Sequence, residues 1–71
     1  KAKRVVTDLF DLFMSETNIL PHDWQFSAGV VLTDLSPNER ARIIADYIAS
    51  MTDRYAITEH QRLFDMSPIH K

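Results

Sequence analysis

The sequence predicts an all-α domain of two longer helices and one short helix, joined by a long irregular loop. Three observations carry that prediction. The 71-residue chain has a single glycine, so left-handed turn positions are scarce and hairpin-rich β architectures are disfavoured. Apolar residues recur at spacings of three and four over two long stretches, the period of a helix that buries one face. The second stretch opens on Ser36-Pro37-Asn38-Glu39, a helix-start pattern in which each residue has a role.

The first helix is expected from about residue 2 to residue 15. Val5, Val6, Leu9, Phe10, Leu12, Phe13 and Met14 supply its apolar face, with Lys3, Arg4, Thr7, Asp8 and Asp11 opposite. Arg4 and Asp8 stand four apart, a spacing that adds a few tenths of a kcal/mol as an ion pair. Ser15, Thr17 and Asn18 weaken the helix and Pro21 ends it. Residues 16 to 35 then read as irregular, with only Val30-Val31-Leu32 resembling a short strand or a buried turn. A connection of that length needs anchors, and Ile19, Leu20, Trp24 and Phe26 are the candidates.

The second helix starts under Ser36 as N-cap, with Pro37 at the first helical position and Glu39 at the third, a capping box. It is expected to be the longest helix. Ile43, Ile44, Tyr47, Ile48, Met51 and Tyr55 lie on one broad face, and Arg42, Asp46, Ser50 and Asp53 along another. Ala41, Ala45 and Ala49 form a smooth stripe that lets a neighbouring helix approach closely. The spacing then predicts a break near Tyr55-Ala56 and a third helix over about 58–65, capped by Thr58 with Gln61 three residues on and burying Leu63 and Phe64. The tail from Ser67 to Lys71 is expected to fray.

Composition sets the outer limits. With 71 residues there is room for one domain, spanning 1–71, and not for a second core. The absence of cysteine rules out a disulfide scaffold and a thiolate zinc site. No apolar run reaches the roughly eighteen residues of a membrane span. A net charge of −2 argues against a nucleic-acid binder that works by bulk charge. The start, Lys1-Ala2-Lys3-Arg4, runs straight into the first amphipathic pattern and does not look like a signal peptide. The chain therefore reads as a piece of a larger protein, and a cytoplasmic location is expected. Its apolar faces exceed what three helices can cover for one another, so it is expected to pack on something else or to associate with itself.

Few residues carry recognisable chemistry. His22-Asp23 has the composition of a metal-binding dipeptide, but it follows a proline in the loop, and His60 and His70 are the only other histidines. A metal centre needs at least three converging ligands, so the ordinary reading is a solvated polar pair. Asp46 and Asp53, seven apart, offer two carboxylates for acid–base work. Arg42, four residues before Asp46, and Arg54, next to Asp53, make ion pairing their ordinary use. Arg40, Arg42, Arg54 and Arg62 form no stripe with interleaved aromatics, so a nucleic-acid module is not supported. Trp24 and Phe26 suit either an exposed binding pair or pins that hold the loop to the core.

One string is more specific. Asp46-Tyr47-Ile48-Ala49-Ser50-Met51-Thr52-Asp53-Arg54-Tyr55-Ala56, followed by Glu59-His60-Gln61-Arg62-Leu63-Phe64, resembles the C-terminal end of the deoxyguanosine triphosphate triphosphohydrolase family. That ending typically has an aspartate and an aromatic residue, then Ile-Ala-Gly/Ser-Met-Thr-Asp-Arg-Tyr/Phe-Ala, then a Leu-Phe pair. Ser50 stands where glycine is common. Arg40-Ala41-Arg42-Ile43-Ile44, the first helix from Arg4-Val5-Val6 and Leu20-Pro21 before Asp23-Trp24 are similar to the same segment.

The resemblance implies an enzyme that cleaves a deoxynucleoside triphosphate to the deoxynucleoside and tripolyphosphate. Its divalent metal, such as magnesium, would sit in an upstream catalytic domain of the His-Asp superfamily, and this chain is expected to hold no metal and no catalytic residue of its own. The chain would be the C-terminal associated domain, packing on that body, contributing to homo-oligomer contacts or to binding of the nucleotide. Arg54 and Tyr55 fall in the matching motif and are the nucleotide-binding candidates. Asp46, Asp53, Ser36 and Glu39 have structural roles in this reading. The alternative is a stand-alone helical interaction module that uses Trp24, Phe26 and the surplus apolar face.

Overall fold

Helix α1 (Lys3–Ser15) follows directly from its apolar spacing and buries Leu9 and Phe13. The computed structural model describes residues 2–65. No side chain caps the start of α1; Thr7 and Ser15 instead donate their hydroxyls to the carbonyls of Lys3 and Asp11, at 3.0 and 2.9 Å. The backbone N–H of Glu16 closes the helix on the Leu12 carbonyl at 2.8 Å.

The connection to the next helix is more ordered than its sequence suggests. Three single 3-10 turns occupy Thr17–Ile19, His22–Trp24 and Leu32–Asp34. Between the last two lies a minimal antiparallel hairpin, β1 (Phe26–Ser27) and β2 (Val30–Val31), in register Phe26 to Val31 and Ser27 to Val30. Its two-residue turn needs positive φ at both central positions, supplied by Ala28 at 51° and Gly29 at 82°. Thus the one glycine of the chain is used where the backbone requires it. Gln25 ties the loop together, donating from Nε2 to the carbonyls of Leu20 (2.7 Å) and Asn18 (3.2 Å).

The anchors differ in part from expectation. Leu20 and Leu32 are buried, while Ile19 and Trp24 are half-buried against the core. Phe26 remains 41% exposed and lies against the His22 ring at 5.2 Å instead of entering the core.

Helix α2 (Pro37–Ala49) begins where the capping pattern places it. Glu39 N–H donates to Ser36 Oγ at 3.3 Å, and Ser36 N–H donates to Glu39 Oε1 at 3.2 Å. Such a cap is worth about 1 kcal/mol relative to alanine. The helix buries Ile44, Tyr47 and Ile48.

Its end and the start of the next helix require a correction. α2 stops at Ala49, and α3 runs from Asp53 to Asp65. The third helix is therefore not a short one over 58–65 capped by Thr58, and α2 is not the longest, because all three helices have 13 residues. Thr52 is the cap: its Oγ1 accepts from Tyr55 N–H at 3.1 Å, and its carbonyl accepts from Ala56 N–H at 2.9 Å. Tyr55 accordingly belongs to α3 rather than to the α2 face, and Met51 is buried in the joint between the two helices. On α3 the buried residues are Ala56 and Glu59, with Leu63 and Phe64 only partly covered.

One core joins the three helices and the loop. Leu9, Phe13, Leu32 and Ile44 are its largest fully buried side chains. Phe13 meets Tyr47 edge-on at 5.6 Å, and Trp24 packs against Tyr47 at 5.1 Å. The tail expected to fray, Ser67 to Lys71, lies outside the described residues.

Candidate functional site

The joint between α2 and α3 gathers most of the residues singled out in the sequence. It is closed by backbone and hydroxyl contacts. Ser50 N–H reaches the carbonyls of Asp46 and Tyr47, both at 3.1 Å, and Ser50 Oγ donates to the Tyr47 carbonyl at 2.6 Å. Met51 N–H donates to the Ile48 carbonyl at 3.1 Å while its side chain plugs the joint. The chain then turns into α3 under Thr52.

Because a joint separates them, Asp46 and Asp53 do not share one helical face. Asp46 is exposed near the end of α2, and Asp53 occupies the first position of α3. A carboxylate there faces the positive end of the helix dipole, which stabilises it by about 0.3–1 kcal/mol. Their spacing of seven therefore does not stack the two carboxylates on one helix. The expected pair of Arg42 with Asp46 is not formed either, while that of Arg4 with Asp8 is, at 3.7 Å.

Arg54 is the unusual residue. It is exposed in the first turn of α3 and makes no ion pair with a described residue. A cation at that end of a helix opposes the dipole, so its placement adds nothing to the stability of α3. Tyr55 follows it and is 47% exposed. Together they present a guanidinium fork and a phenol at the surface of the joint.

Behind them lies a polar layer that local spacing alone did not reveal. Glu59 is only 8% exposed, yet it carries a carboxylate. Arg62, three residues on, holds it with two parallel bonds, Nε to Oε1 and Nη2 to Oε2, both at 2.8 Å. That bidentate geometry satisfies the carboxylate, and it keeps the Arg62 pKa above its ordinary value. A second pair links the ends of the chain: His60 Nε2 lies 2.8 Å from Asp8 Oδ2, connecting α3 to α1. The Phe64 ring covers the His60 ring at 4.6 Å.

Tyr47 sits between this layer and the core. Its hydroxyl is buried and forms no hydrogen bond with a described residue. Burial, first, and the neighbouring Tyr55 phenol, second, push its pKa well above the ordinary tyrosine value. The sign of the linkage follows. A raised pKa leaves stability intact below the unfolded-state value, about 10, and loses it as pH climbs from there toward the folded-state value. Tyr47→Phe should therefore flatten the alkaline loss of stability measured by thermal melts above about pH 10. At neutral pH it should be neutral or stabilising by up to about 1 kcal/mol, since the buried hydroxyl it removes has no hydrogen bond with a described residue. A loss of 2 kcal/mol or more at neutral pH would show that the hydroxyl is bonded after all.

The remaining candidates have simple placements. His22 and Asp23 are exposed in a 3-10 turn. Among the described residues no three His, Asp or Glu side chains converge to hold a metal ion. Trp24, packed on Tyr47, pins the loop and is not half of an exposed binding pair with Phe26. No helix among the described residues is long and apolar enough to cross a membrane.

Comparison with known proteins gives a consistent set of relatives. Three are deoxyguanosinetriphosphate triphosphohydrolase-like proteins. That of Azorhizobium caulinodans is 48% identical over 68 residues, covering 96% of this chain and 16% of the relative. That of Bordetella pertussis is 47% identical over 66 residues, with 93% and 15% covered. That of Azoarcus is 46% identical over 70 residues, with 99% and 16% covered. This chain thus spans about 16% of the length of the curated relatives it matches. The C-terminal placement expected from the sequence finds no support in these alignments. No solved structure matches the chain. The family model described as the phosphohydrolase-associated domain matches residues 1–62, from the start of α1 through the α2–α3 joint to the Glu59–Arg62 pair. On that match, which takes in every element described above except the last residues of α3, the chain belongs to the phosphohydrolase-associated domain family.

Proposed function

We propose that this domain is part of a deoxynucleoside triphosphate triphosphohydrolase, that it packs on the catalytic body of that enzyme, and that it presents Arg54 and Tyr55 to the nucleotide. The observation that carries the proposal is the 46–48% identity to triphosphohydrolase-like proteins over nearly the whole chain. The exposed Arg54, without an ion-pair partner among the described residues and set against the helix dipole, supports the last element of it. A guanidinium fork matches two phosphate oxygens at once, and a lysine would not. In this reading the divalent metal of the reaction is held by another part of a longer protein, since no three His, Asp or Glu side chains converge among the described residues. A cytoplasmic location and homo-oligomer contacts are part of the same proposal.

The test is product analysis. Full-length protein incubated with a deoxynucleoside triphosphate and magnesium should release deoxynucleoside and tripolyphosphate in equal amounts, resolved by anion-exchange chromatography. Release of pyrophosphate or orthophosphate instead, or no turnover of any deoxynucleoside triphosphate, would sink the assignment.

A further inference from the structure

Between α1 and α2 the packing leaves an open cleft of about 310 Å³, lined by Val6, Thr7, Phe10, Ala45, Ile48 and Ala49. The one polar side chain on its walls is already satisfied, because Thr7 Oγ1 donates to the Lys3 carbonyl at 3.0 Å. The cleft therefore offers neither charge nor an unmet hydrogen bond, and only an apolar occupant gains by entering it. A small residue at position 45, one turn from Ala49, lowers one wall enough for a helix to lie close.

The length of the relatives favours one occupant. These residues correspond to about 16% of the length of the relatives, so most of such a polypeptide lies outside this structure. A segment joined to the domain by the backbone meets the cleft at a high effective concentration that no free partner matches. A second copy meets the cleft only at its concentration in solution and lacks that advantage. We infer that the α1–α2 cleft receives an apolar helix from the remainder of the longer polypeptide and is the contact through which the domain packs on its catalytic body. This inference rests on the reading of the chain as part of a larger enzyme.

Thiol labelling of the full-length protein tests it. Ala45→Cys places a probe in the cleft, Thr7→Cys places a second on the opposite wall, and Gln61→Cys on the exposed side of α3 is the reference. With a small maleimide and peptide mass spectrometry, both cleft positions should label at least about ten-fold more slowly than position 61 in the native protein. In urea all three should label alike. Equal rates in the native protein would overturn the inference. Protection that fades on dilution would assign the cleft to a second copy and overturn it equally. Product analysis keeps the two readings apart. Shielding without triphosphate hydrolysis upholds the occupant while refuting the enzyme, and hydrolysis with open cleft positions does the reverse.

Discussion

Phe13→Ala should cost about 3–5 kcal/mol, the usual range for deleting a fully buried phenylalanine ring. Native domains hold only about 5–15 kcal/mol in total, so this one substitution should bring the domain close to unfolding. The reason is the position of the ring. Phe13 is 1% exposed on α1 and meets Tyr47 of α2 edge-on at 5.6 Å. Tyr47 in turn supports Trp24, which holds the long connection in place at 5.1 Å. Removing Phe13 therefore loosens α1, α2 and the loop together. Urea titration followed by circular dichroism should show the midpoint collapse, and the near-ultraviolet signal of Trp24 should weaken with it. Phe26→Ala, at a ring 41% exposed, should cost less than about 1 kcal/mol in the same experiment. A Phe13→Ala cost no larger than that of Phe26→Ala would mean that the three-ring stack does not organise the core.

How legible this fold was in its sequence depends on the range of the forces involved. The start of α2 was fully legible, because Ser36, Pro37 and Glu39 act within one turn and need nothing from the rest of the chain. The body of α1 was legible for a similar reason, since its 3–4 spacing encodes a face. The start of α3 was not. Thr52 and Thr58 both suit an N-cap, and Gln61 completes the better local pattern for Thr58. Tertiary burial decided for Thr52: Met51 and Ala56 bury their side chains in the joint, and the helix must begin between them. The hairpin escaped because its turn is Ala28-Gly29, and alanine seldom adopts the positive φ of 51° found there. The Asp8–His60 contact joins residues 52 apart, a separation that helical spacing cannot reveal. Glu59 and Arg62 stood at a pairing distance all along, but nothing local indicated that Glu59 faces inward. Of the site candidates, the sequence correctly brought Asp53, Arg54 and Tyr55 to a helix boundary. It misjudged which side of that boundary they occupy.

Arg54→Ala in the full-length protein should lower triphosphate hydrolysis by ten-fold or more while leaving thermal stability intact. A charge-assisted contact to phosphate is worth about 1.5–3 kcal/mol, and this side chain has no ion pair with a described residue to lose. Removing a cation from the first turn of α3 should even raise the melting temperature slightly, since the helix dipole opposes it there. Arg54→Lys separates charge from geometry. It restores the positive charge without the two-pronged fork, so partial recovery of rate is expected, with KM affected more than kcat if the contact is made equally in ground and transition states. The opposite pattern has a distinct meaning. A fall in melting temperature, with the remaining folded enzyme turning over normally, would make Arg54 a structural element of the α2–α3 joint. The nucleotide would then be recognised entirely by the rest of the protein, and Tyr55→Phe should likewise leave the rate unchanged. The two outcomes differ in which observable moves, so one pair of measurements, melting and turnover on the same preparations, decides between them.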